Sequence, residues 1–248
     1  MTAPVLHSDV LDRLGQEIAH ARLPAGSVVT LASLEERFGV SRTVVREAVR
    51  VLESLGMVES RRRVGVRVRP PAGWTVLDPR VVRWRLCGPE RDLQLHRLTE
   101  LRLALEPTAA RLAARKAGPA VGERLAELAA RIRELGEAGQ GDQPEYLAAD
   151  IAFHGLLLEA SENDLFLAMQ DVITEVLAGR THLHLTPAEP APASLDHHEA
   201  VARAVSARDE EAAERHARAV VMEVWHELRD ADLATPAGRL TAPPSRTS

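Results

Sequence analysis

The run Phe38–Leu52, Phe-Gly-Val-Ser-Arg-Thr-Val-Val-Arg-Glu-Ala-Val-Arg-Val-Leu, constrains this chain more than any other stretch. Gly39 supplies the positive φ that a tight turn between two helices demands. Val40 packs under that turn, and Ser41 is placed to cap the helix that follows. From there Val45, Ala48, Val49 and Leu52 recur at i, i+3, i+4 and i+7, which makes one buried stripe. Arg42, Thr43, Arg46 and Arg50 fall largely outside it. A helix with a packed inner face and an Arg-bearing N-terminal end suits the major groove, where Arg bonds guanine bidentately and Thr meets phosphate or a thymine methyl. Taken alone, the same helix also reads as an ordinary amphipathic surface helix.

The flanking residues favour the first reading. Leu31 to Phe38 form a short preceding helix, with Thr30 as its cap and Leu31, Leu34 and Phe38 as its apolar positions. Gly56 closes the second helix. Val58 to Val68 then read as two short strands around the basic turn Arg61-Arg62-Arg63. Helix, glycine turn, helix and basic hairpin make a winged helix-turn-helix. These residues resemble the GntR family of bacterial transcription regulators. The matching positions are Leu23-Pro24-Ala25-Gly26-Ser27, Phe38-Gly39-Val40-Ser41-Arg42-Thr43 with Val45-Arg46-Glu47-Ala48, and Gly65 in the wing. Val29-Thr30-Leu31 stands where many members carry Pro-Ser-Glu. The resemblance makes Ser41, Arg42, Thr43, Arg46, Arg50, Arg62, Arg63 and Gly65 the expected DNA-binding residues.

Net charge needs dividing before it fits. The chain carries −5 overall, but residues 1–70 hold eleven Arg against eight acidic residues, a surplus of three, which leaves −8 elsewhere. The basic excess therefore lies where DNA contact is expected. Lys116 is the only Lys, so the Arg bias belongs to the whole chain and an individual Arg says less than usual. The cluster Arg61-Arg62-Arg63 with Arg67 and Arg69 still favours phosphate contact from the wing over a merely solvated hairpin. The single Cys87 excludes an internal disulfide and a thiolate metal cluster. No signal peptide or membrane span is seen, and a cytoplasmic protein is the inference.

In chain order, Met1 to Leu6 read as frayed. Ser8 or Asp9 caps a first helix to about Ala21, with Val10, Leu11, Leu14, Ile18 and Ala21 facing inward. Pro70-Pro71-Ala72-Gly73 punctuates the chain, which gives a winged helix-turn-helix over 1–71 and a linker with a docking helix over 72–92. A helical effector-binding and dimerisation domain follows over 93–234, then a disordered Pro/Ser/Thr-rich tail over 235–248. Helices are expected at about 93–117, 120–136, 144–160, 164–180, 194–207 and 209–232. With no strand pattern after Val68, the fold class is mainly α: the winged domain plus an antiparallel all-helical bundle.

One constellation in the bundle carries chemistry. Asp150 and His154 stand at i and i+4 on one helix face, His198 opens a later helix, and His216 lies on the last. Oxygen and imidazole ligands from facing helices can hold a first-row divalent metal, although an Asp and a His four apart often share only a hydrogen bond. This region resembles the ligand-binding domain of the FadR subfamily, the FCD type. The likeness rests on Glu100-Leu101-Arg102, Leu105-Glu106, Asp150 with Phe153-His154, Ala160-Ser161 with Asn163, and His198 through Ala213. The resemblance implies a metal of the zinc, nickel or manganese type on Asp150, His154 and His198. Its usual fourth ligand falls 22 residues after His198, at Val220, which cannot ligate. His216 is one turn earlier and could substitute. The resemblance also places Arg102 at the effector cavity, where its partner is an effector carboxylate or, on its own helix, Glu106. Effector contacts are thus expected from Arg102, Asp150, His154 and His198.

The expected function is a ligand-responsive, non-enzymatic regulator. A homodimer reads a pseudopalindromic operator and is released by a small organic acid; the resemblance to sugar-acid-responsive members, notably at Leu77-Asp78-Pro79 and Trp84-Arg85-Leu86, suggests galactonate or gluconate. The alternatives are a metal-free regulator answering to another carboxylate, and a metal-dependent hydrolase using Glu199 or Asp196 as base.

Overall fold

The computed structural model describes the backbone of residues 3–234 and the side chains of residues 9–225, so the tail expected over 235–248 lies outside it. The chain divides into two compact units. The first contains residues 1–98 and 164–183, the second 99–163 and 184–248.

In the first unit α1 (Ala3–Ala19) precedes β1 (Val28–Val29), α2 (Leu31–Phe38), α3 (Arg42–Ser54), β2 (Val58–Arg61) and β3 (Gly65–Val68). The helix turn is as the sequence requires: Gly39 sits at φ 64° and its N–H donates to the Glu35 carbonyl. Thr30 caps α2 in a reciprocal box with Ser33. Ser41 occupies the cap position of α3, but its side chain makes no cap hydrogen bond. Val45, Ala48, Val49 and Leu52 are buried together with Leu14, Ile18, Leu34, Met57, Val66 and Val68. The sheet has the order β1-β3-β2, all antiparallel, with Val29 opposite Val66 and Ser60 opposite Val66 on the other side. The strand β1 escaped sequence reading because two residues carry no alternation; only pairing with β3 defines it. The first helix also differs from expectation. It begins at Ala3 rather than Ser8 and stops at Ala19, because Ala21 has turned to φ 55° and lies exposed.

A short turn (Pro71–Gly73) leads to α4 (Pro79–Leu86), whose first turn is capped by the Asp78 carboxylate. Trp84 is buried, and its indole N–H donates to Asp12 of α1 at 2.9 Å. Gly15 makes room for it: a Cβ there would lie 2.6 Å from the indole ring. Gly15→Ala is therefore expected to overpack this contact and cost about 1–3 kcal/mol, read as a lowered thermal midpoint; an unchanged midpoint would mean that α4 does not seat on α1 as described. The segment expected as one helix over 164–180 is split into α8 (Asp164–Leu167) and α9 (Gln170–His182). It packs on α4 within the first unit rather than in the bundle, with Leu86 under Gly179.

The long helix α5 (Arg91–Lys116) crosses the division after Leu98. In the second unit it is followed by α6 (Pro119–Glu137), α7 (Pro144–Ala160), α10 (Pro192–Ser206) and α11 (Glu210–Ala234). Proline at the first position of α6, α7 and α10 starts each helix where a free N–H is not needed. The Asp209 side chain caps α11 by accepting from the Ala212 N–H. The core is rich in alanine, with Ala110, Ala113, Ala114, Ala129, Ala213 and Ala217 around Phe153, Leu157, Ile132 and Val201. Small side chains let the helices approach closely; a Cβ on Gly122 of α6 would lie 3.1 Å from the Ser206 Cα of α10. No strand follows Val68 among the described residues.

Candidate functional site: a polar face on the winged helix and a buried histidine centre

The first site is a surface. Burying the Val45–Leu52 stripe turns Ser41, Arg42, Thr43, Arg46 and Arg50 outward, and all five are exposed. Arg50 is bonded to Glu47 at 2.6 Å and Arg42 stands 3.9 Å from Glu35, whereas Arg46 is in no ion pair among the described residues. The wing turn exposes Arg61, Arg62 and Arg63, with Arg63 at φ 64°. Gly65, expected as a DNA contact, has a backbone reason of its own. It lies at φ 122°, and a Cβ would come 2.5 Å from the Val29 carbonyl oxygen of β1. Helix end and wing together present these eight exposed polar side chains, six of them arginine, with Val64 exposed beside them in the wing turn, so the face is cationic.

The second site is inside the helical unit. Asp150 and His154 of α7 meet His198 of α10, and one ligand atom from each falls within 4.8 Å of the others. Asp150 Oδ1 is the common neighbour, 3.4 Å from the Nε2 of each histidine. The far side of each ring faces an acceptor, through a hydrogen bond for His198 and through an ion-pair contact for His154. His198 Nδ1 donates to the Ser194 carbonyl at 2.7 Å, and Glu106 Oε2 lies 2.8 Å from His154 Nδ1. Both Nε2 atoms are thereby turned toward Asp150, the arrangement in which an imidazole is oriented for a metal by its other nitrogen. His198 Nε2 is buried without a hydrogen-bond partner.

Arg102 of α5 lies beside these groups and is 1% exposed. Its partner is Glu106, with Nε donating at 2.5 Å and Nη2 at 3.2 Å, so the intrahelical alternative is realised. Nη2 also stands 3.4 Å from His154 Nε2, while Nη1 is buried with no partner. Glu106 has two roles, of which the spacing shows one. It was legible as the i+4 partner of Arg102, but its second role on His154 comes from α7 packing against α5.

The charges are strongly coupled. Burial pushes the Glu106 carboxyl up, yet Arg102 and His154 more than offset it and hold it at about 2. Burial likewise opposes ionisation of Asp150, but the imidazoles of His154 and His198 beside it hold it well below the usual carboxylate range. Burial depresses His154, and the Glu106 and Asp150 carboxylates raise it to about 9.

His216 does not join this centre. Its Nδ1 lies 3.1 Å from the Nδ1 of His197, the neighbour of His198 that points off the other side of α10. Val220 is buried and offers no donor. Glu199 and Asp196, the bases a hydrolase would need, are both held by Arg133, at 2.6 Å each. The acceptors are occupied, and the Arg133 hydrogen bonds lower the Glu199 carboxyl.

Residues 6–68 match the model of the bacterial regulatory proteins of the gntR family, and residues 97–222 match that of the FCD domain. The chain belongs to the GntR family. Its relatives include YieP, an HTH-type transcriptional regulator of Escherichia coli, 30% identical over 85% of this chain and 90% of that protein. The galactonate operon transcriptional repressor of Escherichia coli is 27% identical over 88% of this chain and 94% of its own length. A probable D-xylose utilization operon transcriptional repressor of Paenarthrobacter nicotinovorans is 33% identical over 86% and 84%. Among solved structures, Escherichia coli McbR/YncC shares the fold at a TM-score of 0.52 and 18% identity, covering 91% of this chain and 98% of that one. As a GntR regulator with an FCD domain, the chain unites a DNA-binding module and a ligand-binding module. No helix among the described residues is long and apolar enough to cross a membrane.

Proposed function

We propose that this chain is a cytoplasmic homodimeric repressor that leaves a pseudopalindromic operator when a small carboxylate, a sugar acid by preference, binds at the buried histidine centre. The observation that carries the ligand site is the shared aim of His154 Nε2 and His198 Nε2 at Asp150 Oδ1, with His198 Nδ1 hydrogen-bonded to the Ser194 carbonyl and His154 Nδ1 against the Glu106 carboxylate. This donor set fits a divalent first-row cation of the zinc, nickel or manganese type. Such a cation supplies positive charge and open coordination positions to the oxygens of a ligand. Arg102 adds a fixed guanidinium, whose unpartnered Nη1 can take a carboxylate oxygen, while Glu106 holds the rest of the group in place. The relatives named for galactonate and D-xylose operons point to sugar-derived ligands. A non-enzymatic role accords with the family and with Glu199 and Asp196 being tied to Arg133.

On the DNA side, Arg42, Thr43 and Arg46 read base edges or flanking phosphates from the start of α3, with Ser41 and Arg50 at its margins and Arg62 and Arg63 on the backbone from the wing. Gly65 shapes the wing that presents them and stays among the proposed DNA-binding residues. Arg46→Ala is expected to weaken operator binding by about 10- to 100-fold and to relax preference at one base pair, the worth of a lost bidentate contact. Arg62→Ala is expected to weaken all sequences alike and flatten the salt dependence. Fluorescence anisotropy against salt concentration separates the two. A ligand can release DNA only by favouring the arrangement that does not fit the operator.

Proton release gives an independent check on the centre. Without a cation, His154 stays protonated up to about pH 9, and ligation needs it neutral. Cation binding at pH 7 is therefore expected to release about one proton per chain and to tighten as pH rises toward 9. Calorimetry in buffers of different ionisation enthalpy reads the proton count; a count of zero would mean His154 is not a ligand. The direct test of the whole reading is metal analysis of untagged protein with calorimetric titration of galactonate, gluconate and other hydroxy acids. Stoichiometric metal with binding of one acid supports it. Binding of a different carboxylate to metal-free protein would favour the metal-free alternative.

A further inference from the structure

His197 and His216 form a second imidazole cluster that the histidine centre does not use. His197 lies on α10 and His216 on α11, and both are half-buried, within reach of solvent. The Nδ1 atoms stand 3.1 Å apart with the rings tilted by 42°. Two nitrogens bound to one zinc-like ion at about 2.0–2.1 Å would stand about 2.9 Å apart at a right angle and about 3.3 Å at a tetrahedral angle. The observed separation falls between these values, and it is set by two packed helices rather than by flexible loops. A proton shared between the rings and an ion bound to both are alternative occupants of the same gap.

We infer that His197 and His216 constitute a separate transition-metal site, which takes an imidazole-seeking first-row ion such as Zn²⁺, Ni²⁺ or Cu²⁺ through the two Nδ1 atoms. The class of ion follows from the surroundings. Arg203 and Arg215 lie close enough to His216 to act on its charge, with Asp209 acting in the opposite sense. A hard cation such as Mg²⁺ or Ca²⁺, which depends on oxygen ligands and on net negative charge, gains nothing there. An ion that bonds nitrogen strongly does. With two protein ligands the site is weaker than the three-ligand centre, and its remaining positions are open to water.

The experiment uses full-length metal-free protein titrated with Zn²⁺, in four forms: wild type, Asp150→Asn, His197→Gln/His216→Gln, and all three substitutions together. Stoichiometry is read by chelator competition, and the imidazole nitrogens by long-range ¹H–¹⁵N spectra, which report the ligating atom directly. Circular dichroism confirms the folding of each variant. The expected result is one equivalent retained in Asp150→Asn, with the His216 Nδ1 resonance shifted, and none in the triple variant. If Asp150→Asn retains no metal while wild type holds one, this site is refuted and the inner centre stands. If the metal in Asp150→Asn persists after His197→Gln/His216→Gln, the ion lies elsewhere and the inference is likewise refuted. Wild type holding one equivalent that only the histidine pair abolishes would instead uphold this site and overturn the inner one.

Discussion

Glu106→Ala is expected to cost the helical unit about 3–5 kcal/mol, the largest stability loss of any single change at the centre. Glu106 and Arg102 are 2% and 1% exposed, and the carboxylate accepts two hydrogen bonds from the guanidinium while facing His154 Nδ1. Removing it strands a charged guanidinium where water cannot reach it, and takes the counter-charge from His154 as well. Asp150 also attracts Arg102, which places the expectation toward the lower end of that range. At about 2–4 °C per kcal/mol for a domain of this size, the thermal midpoint should fall by roughly 10 °C. Replacing both partners, as in Arg102→Leu with Glu106→Leu, should be far milder, because no unpaired charge is left buried. The pH dependence has a definite sign. The folded-state carboxyl is depressed to about 2, so its contribution is fully present above the unfolded value near 4.5 and is lost as pH falls through about 2. A Glu106→Ala protein melting with wild type would show that the pair is not buried as described.

Asp150→Asn should have the largest effect on ligand chemistry. Its Oδ1 is the one atom that both Nε2 atoms share, so an amide in its place removes the only anionic donor and offers an N–H that repels a cation. Losing an outer hydrogen-bond partner of a metal ligand costs about 10–100-fold in affinity; losing the carboxylate ligand should cost more. The substitution is nearly isosteric, so the fold should survive it. Chelator competition at constant pH reads the change, and an affinity for the inner ion within twofold of wild type would remove Asp150 from the site.

The parts of this molecule that sequence made legible are those set by local chemistry. Gly39 at positive φ, the Thr30 cap and the apolar stripe through Val45 and Leu52 follow from steric and periodic rules that act within a dozen residues. The helix over Pro144–Ala160 is found where proline and periodicity place it. What was hidden depends on packing. The strand β1 exists only because Val66 and Arg67 pair with it. The break between α8 and α9 has no proline or glycine to announce it, and the seating of α9 on α4 leaves no trace in either helix's pattern. The same holds at the centre. Asp150 with His154 could be read from their spacing and His198 as a candidate opening a later helix, while the family resemblance joined the three in one ligand set. Glu106 gained its role on His154 from the packing of α5 against α7. His216 was on offer as a substitute ligand, but the orientation of α11 hands it to His197 instead.

On the proposed reading, occupancy of the helical unit governs DNA binding by the winged helix. The measurement that tests it most directly is anisotropy of a DNA fragment selected by the protein, titrated with metal-loaded wild type and with Asp150→Asn, each with and without the acid that calorimetry identifies. The account predicts that saturating acid weakens wild-type binding by at least about tenfold, about 1.4 kcal/mol of coupling, and leaves Asp150→Asn unaffected. Wild-type affinity that is the same with and without bound acid would contradict it.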